Sequence, residues 1–175
     1  TTLFRSDRLT LDVLRDPARN DITIFVDYLC PVCGEFEKTN GQVLNDLVSS
    51  GAATVEIHPI AFLDNRSQGT KYSTRATNAA ACVANYTPDS FYTFHNLLYA
   101  NQPAENTPGL DDATIIDLAT QAGANAQVVD CINNGDYVDW VAAKTTRAMN
   151  GTVAINNLDP SFTGVTGTPT VLING

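Results

Sequence analysis

Residues 21–33, DITIFVDYLCPVC, set a run of β-branched and aromatic residues directly ahead of a Cys-Pro-Val-Cys pair. The run has strand length and is apolar enough to be buried on both faces. Pro31 suits the first turn of a helix, where its missing N–H costs nothing. Behind it Phe36, Val43, Leu44, Leu47 and Val48 fall on one helical face, and Gly51 ends the pattern. Gly41, in the middle, weakens the helix and is a place for it to bend. Residues 52–62, AATVEIHPIAF, read as the next strand. A β–α–β succession normally crosses over right-handed onto a parallel sheet, so this stretch calls for an α/β fold with Cys30 at a strand-to-helix junction.

The flanking chain adds to this frame. Residues 9–14 alternate apolar and polar as a strand does, and RDPARN is a turn. From about 67 to 155 the period changes to that of helices. An alanine-rich stretch, a segment starting with Asp89 and Ser90 and carrying Phe91, Phe94, Leu97 and Leu98, an acid-capped stretch ending at Gly123, and two more amphipathic runs make about five helices. They read as a helical subdomain inserted into the α/β unit. Residues 164–175, GVTGTPTVLING, return to a short apolar strand, with Pro169 expected at its first position because proline donates nothing to a ladder.

The two cysteines of C-P-V-C admit three readings: a redox pair, a structural disulfide, or half of a metal site. A helix N-terminus presents free N–H groups and a positive dipole end, which stabilise an anion. A thiolate at Cys30 is therefore favoured, and Cys33, one turn on, can close back upon it. A zinc site usually takes four ligands at recognisable spacing. There is no second C-x-x-C, and His58 and His95 are remote in sequence, so no metal is expected. The chain of 175 residues is long enough to bury a core without relying on disulfides. Its net charge of −9 argues against broad affinity for nucleic acid or anionic lipid. No apolar run is long enough to span a bilayer. The first residue, Thr1, is not methionine, which suggests a processed or trimmed product.

Taken together, strand, Cys30-Pro31-Val32-Cys33 opening a helix, strand, helical insertion, and Thr168-Pro169 before a strand resemble the thioredoxin-fold oxidoreductases, specifically their DsbA-like branch. The resemblance runs in order along nearly the whole chain. It implies a thioredoxin-like α/β fold formed by residues 1–66 and 156–175, with 67–155 as the inserted helical subdomain. It implies that Pro169 is cis and that Thr168 contacts a bound substrate strand. The activity it implies is that of a thiol:disulfide oxidoreductase that forms disulfides in secreted proteins by exchange through Cys30 and Cys33, without a cofactor. The partners it implies are reduced or unfolded secreted proteins and a membrane quinone-linked oxidase, and the location is the cell envelope or outside the cell, with an N-terminal anchor ahead of this segment as one arrangement. Reductase or isomerase chemistry on the same fold, and a non-catalytic binding module, are the alternatives.

Three departures from the family bear on this. Strongly oxidising members carry His between Pro and Cys, where this chain has Val32, so a milder oxidant is expected. Many thioredoxin-fold proteins bury a carboxylate six residues ahead of the first cysteine, where this chain has Ile24; Asp27 and Glu35 lie nearer, without an assigned role. The family also continues past the proline strand with a further strand and a final helix, which are absent from this segment; a bare sheet edge is a liability, so either such a tail lies outside it or something else completes the sheet.

Cys82 and Cys131 each fall in a helical stretch. Either they form a disulfide tying two helices or they are buried thiols acting as small hydrophobes. Actinobacterial-type members of the family carry such an extra disulfide, and the resemblance favours the pairing. His58 reads as a strand-terminal residue near the sheet edge. His95 belongs to a helix, on its surface or in the core. Phe91, Tyr92, Phe94, Tyr99 and Trp140 are expected in the core, or lining a groove for unfolded substrate. The sequons NRS, NYT and NGT are short enough to arise by chance.

Overall fold

The computed structural model describes residues 9–11, 20–155 and 158–175. Four strands form one sheet: β1 (Leu9–Leu11), β2 (Asn20–Val26), β3 (Ala53–Pro59) and β4 (Thr170–Ile173), in the order β1-β3-β2-β4. β2 and β3 are parallel, with Ile24 opposite Ile57, and α1 (Pro31–Ser49) makes the crossover between them. β1 joins β3 and β4 joins β2, both antiparallel. Of the strand expected over 9–14, the last three residues lie outside the described residues.

β2 runs between two buried layers, as its composition requires. Ile22, Ile24 and Val26 point into the main core, while Phe25 turns to a smaller cluster with Ile60, Ala148 and Val165. Side chains alternate along a strand, so one apolar heptapeptide feeds both layers. The strand stops at Val26, three residues earlier than its apolar run suggests. Asp27 turns the chain: its carboxylate accepts the Leu29 N–H at 2.8 Å, and its carbonyl accepts the Cys30 N–H at 3.0 Å. A side-chain acceptor two residues back competes with the ladder and favours a turn.

The buried stripe of α1 differs from the expected one in one residue. Phe36, Leu44, Leu47 and Val48 pack on the core, but Val43 is 58 % exposed. The innermost positions are Cys33 and Glu37, a spacing of four that continues to Leu44 and Val48 and leaves Val43 about one residue's rotation off the face. A polar residue on the buried face hides this period from an apolar count.

Five helices follow: α2 (Tyr72–Tyr86), α3 (Phe91–Ala100), α4 (Asp112–Gln121), α5 (Ala126–Asn134) and α6 (Val138–Met149). α2 is the centre of this group and packs against α3, α4, α5 and α6. Its buried Ala76, Ala79, Ala80, Ala81 and Ala84 let neighbouring backbones come close. Cys82 and Cys131 are joined, with α2 and α5 only 5.9 Å apart between the two Cα atoms. Asp111 caps α4 by accepting the Thr114 N–H, Asn125 caps α5 by accepting the Val128 N–H, and Gly135 ends α5 at φ 68°. The Asp89–Ser90 start expected for α3 is instead a single tight turn, and Ser90 makes no side-chain cap.

Two placements correct the sequence reading. His58 is buried in β3, an inner strand, with its ring 5.0 Å from that of Phe25 and Nε2 3.3 Å from Glu56. The antiparallel β1, added outside β3, removes the edge on which His58 was expected. Trp140 is half-buried rather than core: it stands edge-on to Tyr137, with the Lys144 ammonium 4.8 Å from its ring.

Candidate active site

The site forms where β2 has ended and α1 begins. Cys30 is the N-cap residue of α1, in extended conformation, followed by Pro31 in the first turn. Cys30 and Cys33 are free thiols, both buried, at 5 % and 0 % exposure. Pro31 and Val32 between them are exposed, Val32 at 61 %. The pair thus lies at a surface formed by its own intervening residues.

The strand-leading loop reaches the same point from the far end of the chain. Its approach is set by close packing at Gly164, where a Cβ would collide with the Met149 carbonyl at the end of α6, and by the Val165 N–H donating to the Ala148 carbonyl at 2.9 Å. The Thr168–Pro169 peptide is cis, and β4 starts at the next residue. The Cys30 thiol donates to the Thr168 carbonyl at 3.2 Å. The Thr168 hydroxyl is buried without a hydrogen-bond partner among the described residues, and the Thr168 side chain favours the thiolate form of both cysteines. Residues 138 positions apart therefore meet at one sulfur.

The two sulfurs are driven apart in acidity. Hydrogen bonding from the Cys33 thiol lowers the Cys30 pKa to about 6, against the opposing effect of burial. The Thr168 side chain and the Cys33 and Val32 backbone N–H groups add to the lowering. Cys33 is pushed well up, first by its hydrogen bond to Cys30 and then by burial. One acidic thiol at the helix start and one weakly acidic thiol deeper in are what an exchange reaction needs: a good leaving group, and a partner that attacks only when the pair is opened.

Asp27 is the residue whose part the sequence left unassigned. It is fully buried, and its carboxylate accepts three hydrogen bonds: Leu29 N–H at 2.8 Å, Leu63 N–H at 2.8 Å and the Ser73 hydroxyl at 2.7 Å. Burial pushes its pKa up to about 6, with the Cys30 charge contributing in the same direction and the three donors opposing it. Asp27 thereby ties the turn before Cys30 to the loop after β3 and to α2. A lone acid in an apolar run next to the cysteines is the signal that marks it. Glu35, the other acid near the pair, is exposed and 3.8 Å from Lys38. Ile24, at the position of the family's carboxylate, is fully buried in the main core.

His95 is fully buried, with Nδ1 3.1 Å from the Tyr28 hydroxyl and Nε2 3.2 Å from Glu37. Of the expected core aromatics Phe91 and Phe94 are buried, while Tyr92 and Tyr99 are half-buried around His95. Among the described residues, no three His, Cys, Asp or Glu side chains group as a metal site, and no helix is long and apolar enough to cross a membrane.

Comparison with known proteins agrees with this geometry. A family model described as Thioredoxin matches residues 15–175. The structure is similar to that of the reduced disulfide bond oxidoreductase DsbG from Mycobacterium tuberculosis, at 33 % identity over 97 % of this chain and 78 % of that one, with a TM-score of 0.79. It is similar to DsbA from Mycobacterium tuberculosis at 32 % identity, over 97 % and 83 % of the two chains, with a TM-score of 0.78. MdbA, a thiol-disulfide oxidoreductase from Corynebacterium matruchotii, shares the fold at 20 % identity over 98 % and 82 %, with a TM-score of 0.78. Among curated proteins the chain is 30 % identical, over 90 % of its length, to the serine/threonine-protein kinase PknE of Mycobacterium tuberculosis, of which it spans about a third, 32 %. The chain belongs to the thioredoxin family, in the DsbA-like form.

Proposed function

We propose that this protein is an extracytoplasmic thiol:disulfide oxidoreductase that donates the Cys30–Cys33 disulfide to secreted proteins. The observation that carries the reading is the placement of Cys30 at the N-cap of α1, its thiol 3.2 Å from the Thr168 carbonyl beside the cis Pro169, with Cys33 one turn further in; the lowered Cys30 pKa and the raised Cys33 pKa support it. In the proposed cycle a substrate thiolate attacks the Cys30 sulfur of the oxidised pair. The Cys30–Cys33 bond breaks, a mixed disulfide forms, and Cys33 leaves and takes up a proton. A second substrate thiolate then attacks the substrate sulfur of the mixed disulfide, and Cys30 leaves as a thiolate. Two electrons pass from the substrate dithiol to the cysteine pair, and the substrate gains one disulfide.

Thr168 and Pro169 hold the substrate strand in this reading, and the exposed Pro31 and Val32 form the surface it meets. The Thr168 hydroxyl donates to the thiolate as it forms. Reoxidation falls to a membrane quinone-linked oxidase. Residues 1–66 and 156–175 act as the redox unit and 67–155 as the inserted subdomain.

Equilibration with glutathione tests the direction. A potential between about −120 and −180 mV makes the pair a disulfide donor, whereas one near −270 mV makes it a reductant and overturns the proposal. The similarity to part of a kinase favours a second reading, in which the pair serves a larger protein as a redox-responsive module. A pair that exchanges with glutathione but does not oxidise a reduced, unfolded protein would select that reading.

A further inference from the structure

The insertion sends one side chain into the redox turn. Gln102 follows α3, and its Nε2 donates to the Cys30 carbonyl at 2.8 Å and to the Tyr28 carbonyl at 3.2 Å. Both partners are acceptors, so only the amide NH2 satisfies them, which settles the orientation of the group. The peptide between Tyr28 and Leu29 is consequently gripped at both ends. Its C=O faces Gln102, and its N–H donates to Asp27 at 2.8 Å. Gln102 is itself anchored, since its backbone N–H donates to the Tyr99 carbonyl at 3.2 Å and the Tyr99 hydroxyl donates to the Asp27 carbonyl at 3.2 Å.

Gly34 makes room for this contact. It lies inside α1, where glycine costs about 1 kcal/mol relative to alanine. Its φ is ordinary, so the backbone does not require glycine there. A Cβ at this position would collide with Gln102 Oε1. The helix gives up stability directly after Cys33, and what occupies the space is the Gln102 amide.

We propose that Gln102 is a positioning residue for Cys30: by holding the carbonyls on either side of it, the helical insertion keeps the Val32 and Cys33 N–H groups aimed at the sulfur. This rests on the exchange reading above. The titratable groups set around Cys30 are Cys33 on α1 and Asp27 in the turn. Gln102 is uncharged and acts through geometry. A lost or misdirected hydrogen bond in such a site corresponds to about a three- to tenfold change in an equilibrium constant.

The test is the thiolate absorbance titration of Cys30 in the reduced full chain, for the wild type, Gln102→Met, Gln102→Glu and Gly34→Ala, with the glutathione equilibrium constant measured alongside. Methionine keeps the length and apolar bulk but donates nothing. Gly34→Ala leaves Gln102 in the sequence and displaces its amide. The expected result is a higher Cys30 pKa in Gln102→Met and Gly34→Ala, higher still in Gln102→Glu, and an oxidising strength lowered about three- to tenfold in the first two. A wild-type Cys30 pKa near 6 that is unchanged in Gln102→Met and Gly34→Ala, while their thermal midpoints fall, makes Gln102 merely structural and overturns this inference alone. A wild-type pKa near the ordinary thiol value of 9.0 overturns the exchange reading along with it.

Discussion

Asp27 shows what one buried acid does at this site. Its pKa stands near 6 in the folded protein and at 3.8 as a free side chain. A carboxyl raised in this way costs nothing below the lower value, where it is neutral in both states. The full cost is in place above the higher one. The group therefore erodes stability as pH rises from about 4 to about 6. Asp27→Asn removes this titration. It also leaves the Leu63 N–H facing an NH2 group, because only one of the two acceptor oxygens survives. The variant is expected to be less stable by about 1–3 kcal/mol near neutrality, with the deficit growing as pH falls toward 4. Thermal unfolding of both proteins in their oxidised forms, across that range, checks it. A deficit that stays constant with pH would mean that Asp27 does not titrate there.

At the scale of elements, the Cys82–Cys131 bond and the redox pair perform separate tasks. The former joins α2 to α5 across a sequence separation of 49, and both sulfurs are buried in the helical core. The chain-entropy model, whose physical basis is disputed, assigns a loop of this size about 4 kcal/mol. Cys82→Ala with Cys131→Ala should lower the unfolding free energy by about that amount. It should leave the Cys30–Cys33 glutathione equilibrium where it was, since the turn before Cys30 is held by Gln102, Leu63 and Ser73 at the start of α2, and none of these contacts runs through α5. A redox equilibrium that moves as far as the stability does would show the two linked. The start of α1 explains why the first pair differs from the second. A helix N-terminus that points its N–H groups at Cys30 has no counterpart at Cys82 or Cys131, which sit inside helices.

For the whole molecule, the acidity of Cys30 links redox state to stability. The thiolate exists only in the dithiol form. Its folded pKa near 6 lies below the ordinary value of 9.0, so its contribution is fully present above about 9 and is lost as pH falls through about 6. Near neutrality the reduced protein is expected to unfold at a higher temperature than the oxidised one, and the gap should close below about pH 6. Calorimetry of both forms at several pH values measures this. An oxidised form that is the more stable at every pH would contradict the donor assignment, because a disulfide that stabilises its own fold is not readily given away.

Much of this was legible in the chain itself, because it rests on local rules. The β–α–β frame, the C-P-V-C pair at a helix start and the five helices follow from side-chain period, caps and breakers, which act over a few residues. The strand layers of Phe25 and Ile24 follow from alternation alone. Other features needed the packed molecule. Val43 left the buried face because Glu37 is on it. His58 became an inner-strand residue because β1 adds outside β3. Asp27 had its pKa raised by burial beneath elements packed over it, and those same elements bring in the Leu63 N–H and the Ser73 hydroxyl that oppose the rise. The Thr168 carbonyl at the Cys30 sulfur and the Gln102 amide on the Cys30 carbonyl come from 138 and 72 positions away. The sequence by itself determined where a closely spaced cysteine pair stands; the tertiary structure decided which groups surround it, since burial and hydrogen bonding depend on what the fold brings near rather than on what the chain places next.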